Sequence, residues 1–283
     1  QKRGQARAQA ALKITGISTK KPVTAETLRK IDNQSLLQAA AASDWAAESR
    51  IVVDGWVLPE PAGDIFRAGR QARVPVLLGS TANEGHMLFP LNEDLSRSDL
   101  DAYLTQTFGS LSAEVISAYA EELRVSPGFA QREISTDLFM AYGMRDWASH
   151  MRRTNVATYL YFMDYVPPAF QIYLANEPNL DLPEGPRSAG AYHSGDLVYV
   201  FNNLDRFAIE WTEEDRAMAH TMSGYWTQFA KTGNPNRADL PNWPSYTIDQ
   251  HHTLRLGSSI AAVLGARRQK LNLMQRRFTK NTR

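Results

Sequence analysis

The chain has 283 residues, 43% of them hydrophobic and 22% charged, an ordinary globular balance with enough apolar material for a sizeable core. Its 31 Lys and Arg against 30 Asp and Glu leave a net charge of +1, so no long-range field singles out nucleic acid or an anionic membrane as a partner. Zero cysteines exclude disulfides and thiolate metal sites and leave the redox compartment open, and no apolar run approaches the roughly 18 to 20 residues of a membrane span.

The first residue is Gln rather than Met, which raises the expectation of residues upstream. Ala-rich Ser35 to Ala47 reads as a helix, and Arg50 to Pro59 as a short strand or hairpin turning at Asp54-Gly55. Val74-Pro-Val-Leu-Leu-Gly-Ser80 is a nearly uninterrupted apolar run, as expected of a strand covered on both faces, and Thr81-Ala-Asn-Glu-Gly85 follows it as a polar loop. Glu84 therefore falls just past the C-terminal end of a buried strand, where parallel α/β sheets place their chemistry. Helical patterns follow at Ser98 to Thr107, Ser112 to Leu123 and Phe129 to Met151, before Ala157 to Met163 switches to β-branched and aromatic residues and reads as a second strand. Asp164 to Tyr192 is rich in Pro, Gly and Asn and lacks periodicity, a long excursion of the kind that carries function, and it delivers His193.

Glu213 to Thr232 is a strong amphipathic helix with Thr212 as N-cap and Gly233 and Pro235 as stop signals. The tail from Arg267 to Arg283 holds seven Lys or Arg and no acidic residue. It reads as a terminal helix whose cations oppose the helix dipole, in preference to a polyanion-binding arm. No internal repeat and no Pro/Gly/Ser linker appears, so residues 1–283 are expected to form a single unit, and alternating helices and apolar strands imply an α/β architecture.

Glu84 and His193 each follow a strand, and the order acid then histidine is the second half of the order nucleophile, acid, histidine of α/β-hydrolases. In that chemistry a carboxylate holds the imidazole in one tautomer, while the other ring nitrogen takes the serine proton and returns it to the leaving group. Taken alone, a Glu after a strand is most often a solvated loop residue, and a lone His is most often structural. Three segments change that weighting. Val74-Pro-Val-Leu-Leu-Gly-Ser-Thr-Ala-Asn-Glu-Gly85 with Met87-Leu-Phe89, then Gly190-Ala-Tyr-His-Ser-Gly-Asp-Leu-Val-Tyr-Val-Phe201, then Met222 to Asn236 with Leu240-Pro-Asn-Trp-Pro-Ser-Tyr246, stand in that order. Together they resemble the type-B carboxylesterase family, which includes bacterial para-nitrobenzyl-type esterases and the cholinesterases, over about residues 35 to 260.

The resemblance implies the C-terminal part of an α/β-hydrolase fold, with a central mostly parallel sheet flanked by helices. It also implies a carboxylic ester hydrolase with Glu84 as triad acid, His193 as base, a small-molecule ester as substrate and no cofactor. The chain departs from the family in having no Gly-x-Ser-x-Gly elbow and no Gly-Gly-rich loop for an oxyanion hole. Ser80, Ser194 and Ser223 do not lie on a strand-to-helix elbow, so the serine is expected from a missing N-terminal part of the same fold, and this chain alone is expected to be inactive. Members of this superfamily also serve in adhesion with the triad incomplete, so a non-catalytic binding module is the alternative.

The remaining candidates carry less. Asp196 is three residues from His193 and reads as a loop-fixing carboxylate in place of a rival acid. His86, His150, His220 and the His251-His252 pair lack a metal-ligand spacing with carboxylates. Trp226, Phe229, Trp243 and Tyr246 read as core and loop anchors, and Tyr142, Met144, Phe170 and Tyr173 as candidate pocket-lining residues by apolar character alone.

Overall fold

Alternation along Thr158–Met163 sets the layering of the fold. Successive side chains of a strand point to opposite faces. Leu160 packs with Leu78, Ala148 and Tyr246, while Tyr159 and Met163 join Met218, Met222, Tyr225 and Trp243 on the other side. This strand is covered on both faces, which is why its sequence TYLYFM shows no polar alternation.

The computed structural model describes residues 9, 12–17, 23–42, 51–169, 182 and 184–280. The chain forms two compact units, Gln1–Arg70 and Gln71–Arg283. The first unit contains α1 (Ala25–Arg29), α2 (Asn33–Ala41) and α3 (Ala62–Arg67). Asp32 caps α2 by accepting the Ser35 N–H at 2.9 Å, and residues 43–47 of the expected helix lie outside the described residues. No strand forms over 51–59. The Asp54 carboxylate instead accepts the N–H groups of Trp56, Val57 and Leu58 at 2.9, 2.9 and 3.0 Å, satisfying locally the donors that a strand would pair.

The second unit runs β1 (Val76–Thr81), α4 (Arg97–Phe108), α5 (Ser112–Ala118), α6 (Ala120–Val125), α7 (Pro127–Thr136), a π turn (Asp137–Ala141), α8 (Tyr142–Arg153) and β2 (Thr158–Met163). It continues through α9 (Leu197–Val200), α10 (Glu213–Thr232), β3 (His252–Leu256), β4 (Ile260–Leu264) and α11 (Arg268–Lys280). The four strands lie in the order β1-β2-β3-β4. β1 pairs parallel with β2 from Val76↔Thr158 to Thr81↔Met163, β2 pairs parallel with β3, and β3 and β4 form an antiparallel pair. On one face α8 presents Met144 and Ala148; on the other, α10 presents Met218, Ala219 and Met222. Trp243 and Tyr246 are fully buried anchors, as expected of them. Among the described residues no helix is long and apolar enough to cross a membrane.

Two expected helices are interrupted. The one read over Ser112 to Leu123 breaks at Tyr119, whose backbone leaves the helical region (φ −110°, ψ 27°). The one read over Phe129 to Met151 starts two residues earlier, where Ser126 accepts the Phe129 N–H at 3.0 Å, and is divided by the π turn. The β3–β4 pair goes unread in the sequence because its strands have only five residues each and β4 is largely exposed.

The start of α10 ties this layer together. Thr212 and Asp215 cap each other reciprocally, and the buried Asp215 carboxylate also accepts from Tyr165 Oη at 2.8 Å, Tyr199 Oη at 2.7 Å and Arg187 at 2.5 Å. Burial pushes the Asp215 carboxyl up, but the Arg187 guanidinium and the hydrogen bonds outweigh it and hold it below the ordinary 3.8. A depressed carboxylate contributes stability that is present above its unfolded value and is lost as pH falls through the folded one. Asp215→Ala is expected to cost about 3 kcal/mol in urea unfolding at neutral pH, with the gap to the unsubstituted chain narrowing as pH drops below the carboxylate range.

Candidate active site

β1 ends with its last carbonyls and amides handed to a short loop. Ala82 N–H continues the ladder to Met163 O at 2.8 Å, after which Asn83 and Glu84 turn across the C-terminal edge of the sheet. Glu84 is only 3% exposed. A buried carboxylate has to be satisfied by donors, and Glu84 has two among the described contacts: Thr81 N–H reaches Oε1 at 2.7 Å, and His193 Nδ1 lies 2.6 Å from Oε2. An ionised carboxylate only accepts, so Nδ1 carries the proton and donates, leaving Nε2 of a neutral imidazole with its lone pair free for chemistry.

His193 arrives on the turn that follows Tyr192. Ser194 has φ 70° and Gly195 N–H closes back on Tyr192 O at 3.0 Å, so the chain reverses at once and the ring stands out from it. The His193 side chain is 37% exposed while its partner is 4% exposed: a buried carboxylate supports an accessible imidazole. Phe139 lies edge-on to the His193 ring with centroids 5.8 Å apart, and Phe89 lies edge-on to Phe139 at 5.6 Å. Phe139 is 45% exposed although its neighbours in the π turn, Asp137 and Ala141, are buried. The extra residue of a π turn re-aims side chains relative to a continuous α-helix, which here leaves an aromatic ring beside His193.

Beneath the acid loop lies a buried ionic cluster. Arg267 donates to Asp137 Oδ1 at 2.6 Å, to Ala82 O at 2.8 Å and to Glu133 Oε2 at 3.3 Å. Tyr119 Oη donates to Asp137 Oδ2 at 2.6 Å, and Gly85 N–H donates to Thr136 Oγ1 at 3.0 Å. Burial pushes the Glu133 carboxyl up, but His86 and Arg267 outweigh it and hold it below its ordinary 4.5. Burial likewise opposes the Arg267 charge, yet the facing Asp137 and Glu133 carboxylates raise its pKa above the usual value. Tyr119 is raised by burial first and by Asp137 second, so it stays a donor.

The structure thus brings the two sequence-derived site residues, Glu84 and His193, into direct contact across 109 positions. Asp196 accepts from Tyr161 Oη at 2.8 Å, and burial pushes its carboxyl above the ordinary value. Ser80 is buried on β1, Ser194 occupies the turn after His193, and Ser223 lies inside α10. Of the residues read as pocket-lining, Tyr142 stacks on Phe278 and Met144 packs on the sheet, while Phe170 and Tyr173 lie outside the described residues. The ring beside His193 is Phe139, which sequence reading passes over because a π turn inside a helical pattern leaves no periodic signal. Arg267, read as a tail cation, stands just before α11 with φ 51° and is directed inward.

A family model described as the carboxylesterase family matches residues 1–278. Among curated relatives, the para-nitrobenzyl esterase of Bacillus subtilis (strain 168) is 29% identical over 248 residues, covering 83% of this chain and 46% of that protein. Carboxylesterase 3 of Homo sapiens is 26% identical over 218 residues, covering 69% of this chain and 36% of that protein. Among solved structures, a PNB esterase is similar at a TM-score of 0.66 and 28% identity, covering 96% of this chain and 54% of that one. The mostly parallel sheet flanked by helices is that of an α/β-hydrolase. The chain belongs to the carboxylesterase family, and it spans about half the length, or less, of the relatives it matches.

The ionic cluster makes a signed prediction. Arg267→Met strands Glu133 and Asp137 without their cation and is expected to cost about 3 to 5 kcal/mol at neutral pH. With the cation gone, only His86 still offsets the burial that pushes the Glu133 carboxyl up, so the deficit shrinks on acidification. Urea unfolding of both chains at neutral pH and within the carboxylate titration range measures this directly.

Proposed function

We propose that this chain supplies the acid and base of a Ser/Glu/His triad in a carboxylic ester hydrolase, with Glu84 as acid, His193 as base and the serine contributed by a segment outside these residues. The observation that carries the reading is the 2.6 Å contact between Glu84 Oε2 and His193 Nδ1, a buried carboxylate orienting an accessible imidazole.

In the reaction, Nε2 of His193 takes the serine proton as the oxygen attacks the ester carbonyl. Glu84 stabilises the imidazolium that forms and keeps Nδ1 protonated. Collapse of the tetrahedral intermediate breaks the ester C–O bond, and His193 returns the proton to the departing alcohol, leaving an acyl-serine. Water, deprotonated by the same nitrogen, attacks the acyl carbon and releases the carboxylic acid with the serine restored. The oxyanion donors come from the same outside segment as the serine, since no Gly-Gly-rich loop occurs in this chain. Phe139, exposed beside His193, is the ring an acyl or alcohol group meets first. The chemistry calls for no cofactor. A place for the partner segment is consistent with the sheet: β1 pairs with β2 alone among the described residues, so its other edge is available to a further strand.

Intact mass after treatment with a fluorophosphonate serine probe tests the reading, on this chain alone and on the chain co-expressed with its upstream coding sequence. Labelling is expected only with the upstream segment, and is expected to disappear in His193→Ala. Glu84→Gln is expected to lower kcat for a small ester by about three to four orders of magnitude with little change in KM. Labelling of this chain alone would place the nucleophile among its own serines and overturn the division proposed; no labelling in either form would move the weight to a non-catalytic binding role.

A further inference from the structure

The Glu84–His193 contact joins two loops 109 residues apart through one flexible side chain. A Glu side chain has enough rotatable bonds to follow a drifting partner, so the contact alone does not set where the imidazole stands. Something has to hold the two backbones together.

We infer that Asn83 and His86 form a second clamp, acting as positioning residues, that locks the acid loop onto the histidine loop and thereby sets the separation of Glu84 and His193. This rests on the triad reading above. Asn83 grips one residue of the histidine loop twice: its N–H donates to Ala191 O at 2.8 Å, and its Oδ1 accepts the Ala191 N–H at 3.0 Å. The pairing forms an isolated parallel bridge between Asn83 and Tyr192, immediately before both site residues. Gly190 completes the lock. It has φ +69°, and a Cβ there would collide with Asn83 Oδ1, so only glycine lets the amide oxygen sit against that turn.

The His86 ring lies against the other end of the Asn83 amide. Because Oδ1 is committed to Ala191, Nδ2 faces the His86 ring, 3.2 Å from Nε2. That same Nε2 lies 2.6 Å from Glu133 Oε1. With Glu133 held ionised by His86 and Arg267, Nε2 is the donor to the carboxylate, and the Asn83 amide lies against the ring as a packing contact, since both groups are donors. The Phe129 ring meets His86 edge-on at 6.0 Å. The result is a continuous chain of contacts from α7 through Glu133, His86 and Asn83 to Ala191, two residues from His193. It runs parallel to the Glu84–His193 contact and shares no side chain with it. Misplacement of a reacting group by about 1 Å can cost on the order of 10²-fold in rate, which is the scale on which such a clamp matters.

The test uses the chain co-expressed with its upstream segment and follows the downfield imidazole N–H proton of His193 by NMR, identified by its loss in His193→Ala. Asn83→Ala removes the acceptor for Ala191, and His86→Phe keeps the ring volume but removes the donor to Glu133. Asn83→Asp and His86→Gln restore an acceptor and a donor respectively. The clamp predicts that the resonance broadens away or moves upfield in the first pair and survives in the second, with kcat falling by up to about 10²-fold in the first pair and far-ultraviolet circular dichroism unchanged. A sharp, unshifted resonance in folded His86→Phe and Asn83→Ala overturns the clamp and leaves the Glu84–His193 reading standing. Should Asn83→Ala fail to fold, His86→Phe decides by the same criterion. Absence of any His193-dependent resonance in the unsubstituted protein overturns both readings together.

Discussion

A carboxylate buried at the end of a strand is the constraint around which the rest of this structure is arranged. Glu84 cannot be left without donors in a low-dielectric setting, and its two oxygens are met by the backbone amide of Thr81 at the end of β1 and one imidazole from a distant turn. The first partner is local and comes with the last residue of β1. The second requires the chain to return after a helical layer, a second strand and an irregular excursion, so the placement of His193 depends on the whole sheet being assembled.

Assembly of that sheet rests on unlike faces. Leu160 and Leu78 meet the α8 side, whereas Tyr159, Met163 and Leu254 meet α10 and the aromatic anchors Tyr225 and Trp243. The parallel register of β1 and β2 brings Thr81 level with Met163, so both strands end at one edge and the acid loop begins there. On the α10 side Asp215 collects Thr212, Tyr165, Tyr199 and Arg187, binding the helix start to α9 and to the end of the excursion that precedes His193. Under the acid loop Arg267 plays the corresponding part, joining Ala82 to Glu133 and Asp137. Two buried ion clusters therefore flank the two loops, Arg187 facing Asp215 in one and Arg267 facing Glu133 and Asp137 in the other.

The π turn shows how a local irregularity serves the site. A continuous helix over 127–153 would place residues at 100° steps; the inserted residue breaks that step between α7 and α8. Asp137 then faces Arg267 and Tyr119 inside, while Phe139 faces outward beside His193. One turn thus joins the ionic floor to the aromatic wall.

What could be read from the amino-acid order alone was what depends on neighbours in sequence. The apolar run before Glu84, the β-branched and aromatic run at Ala157 to Met163, and α10 with its Thr212 cap and Gly233 stop are all set by period and by capping chemistry, and each appears within a residue or two of its expected bounds. Glu84 and His193 stood out because their flanking segments resemble those of a family. The π turn, the break at Tyr119, the β3–β4 pair and the inward turn of Arg267 were not legible, since each depends on what a residue meets across the fold. His86 is the sharpest instance: beside it in sequence lies nothing that marks it, and only the packing of α7 against the acid loop puts Glu133 2.6 Å from its ring. Sequence alone determined β1, β2 and α10 and marked the two residues at the loop tips as candidates. Tertiary structure alone decided which charges face one another, because a buried ion pair is selected by the desolvation that packing imposes and not by any period along the chain.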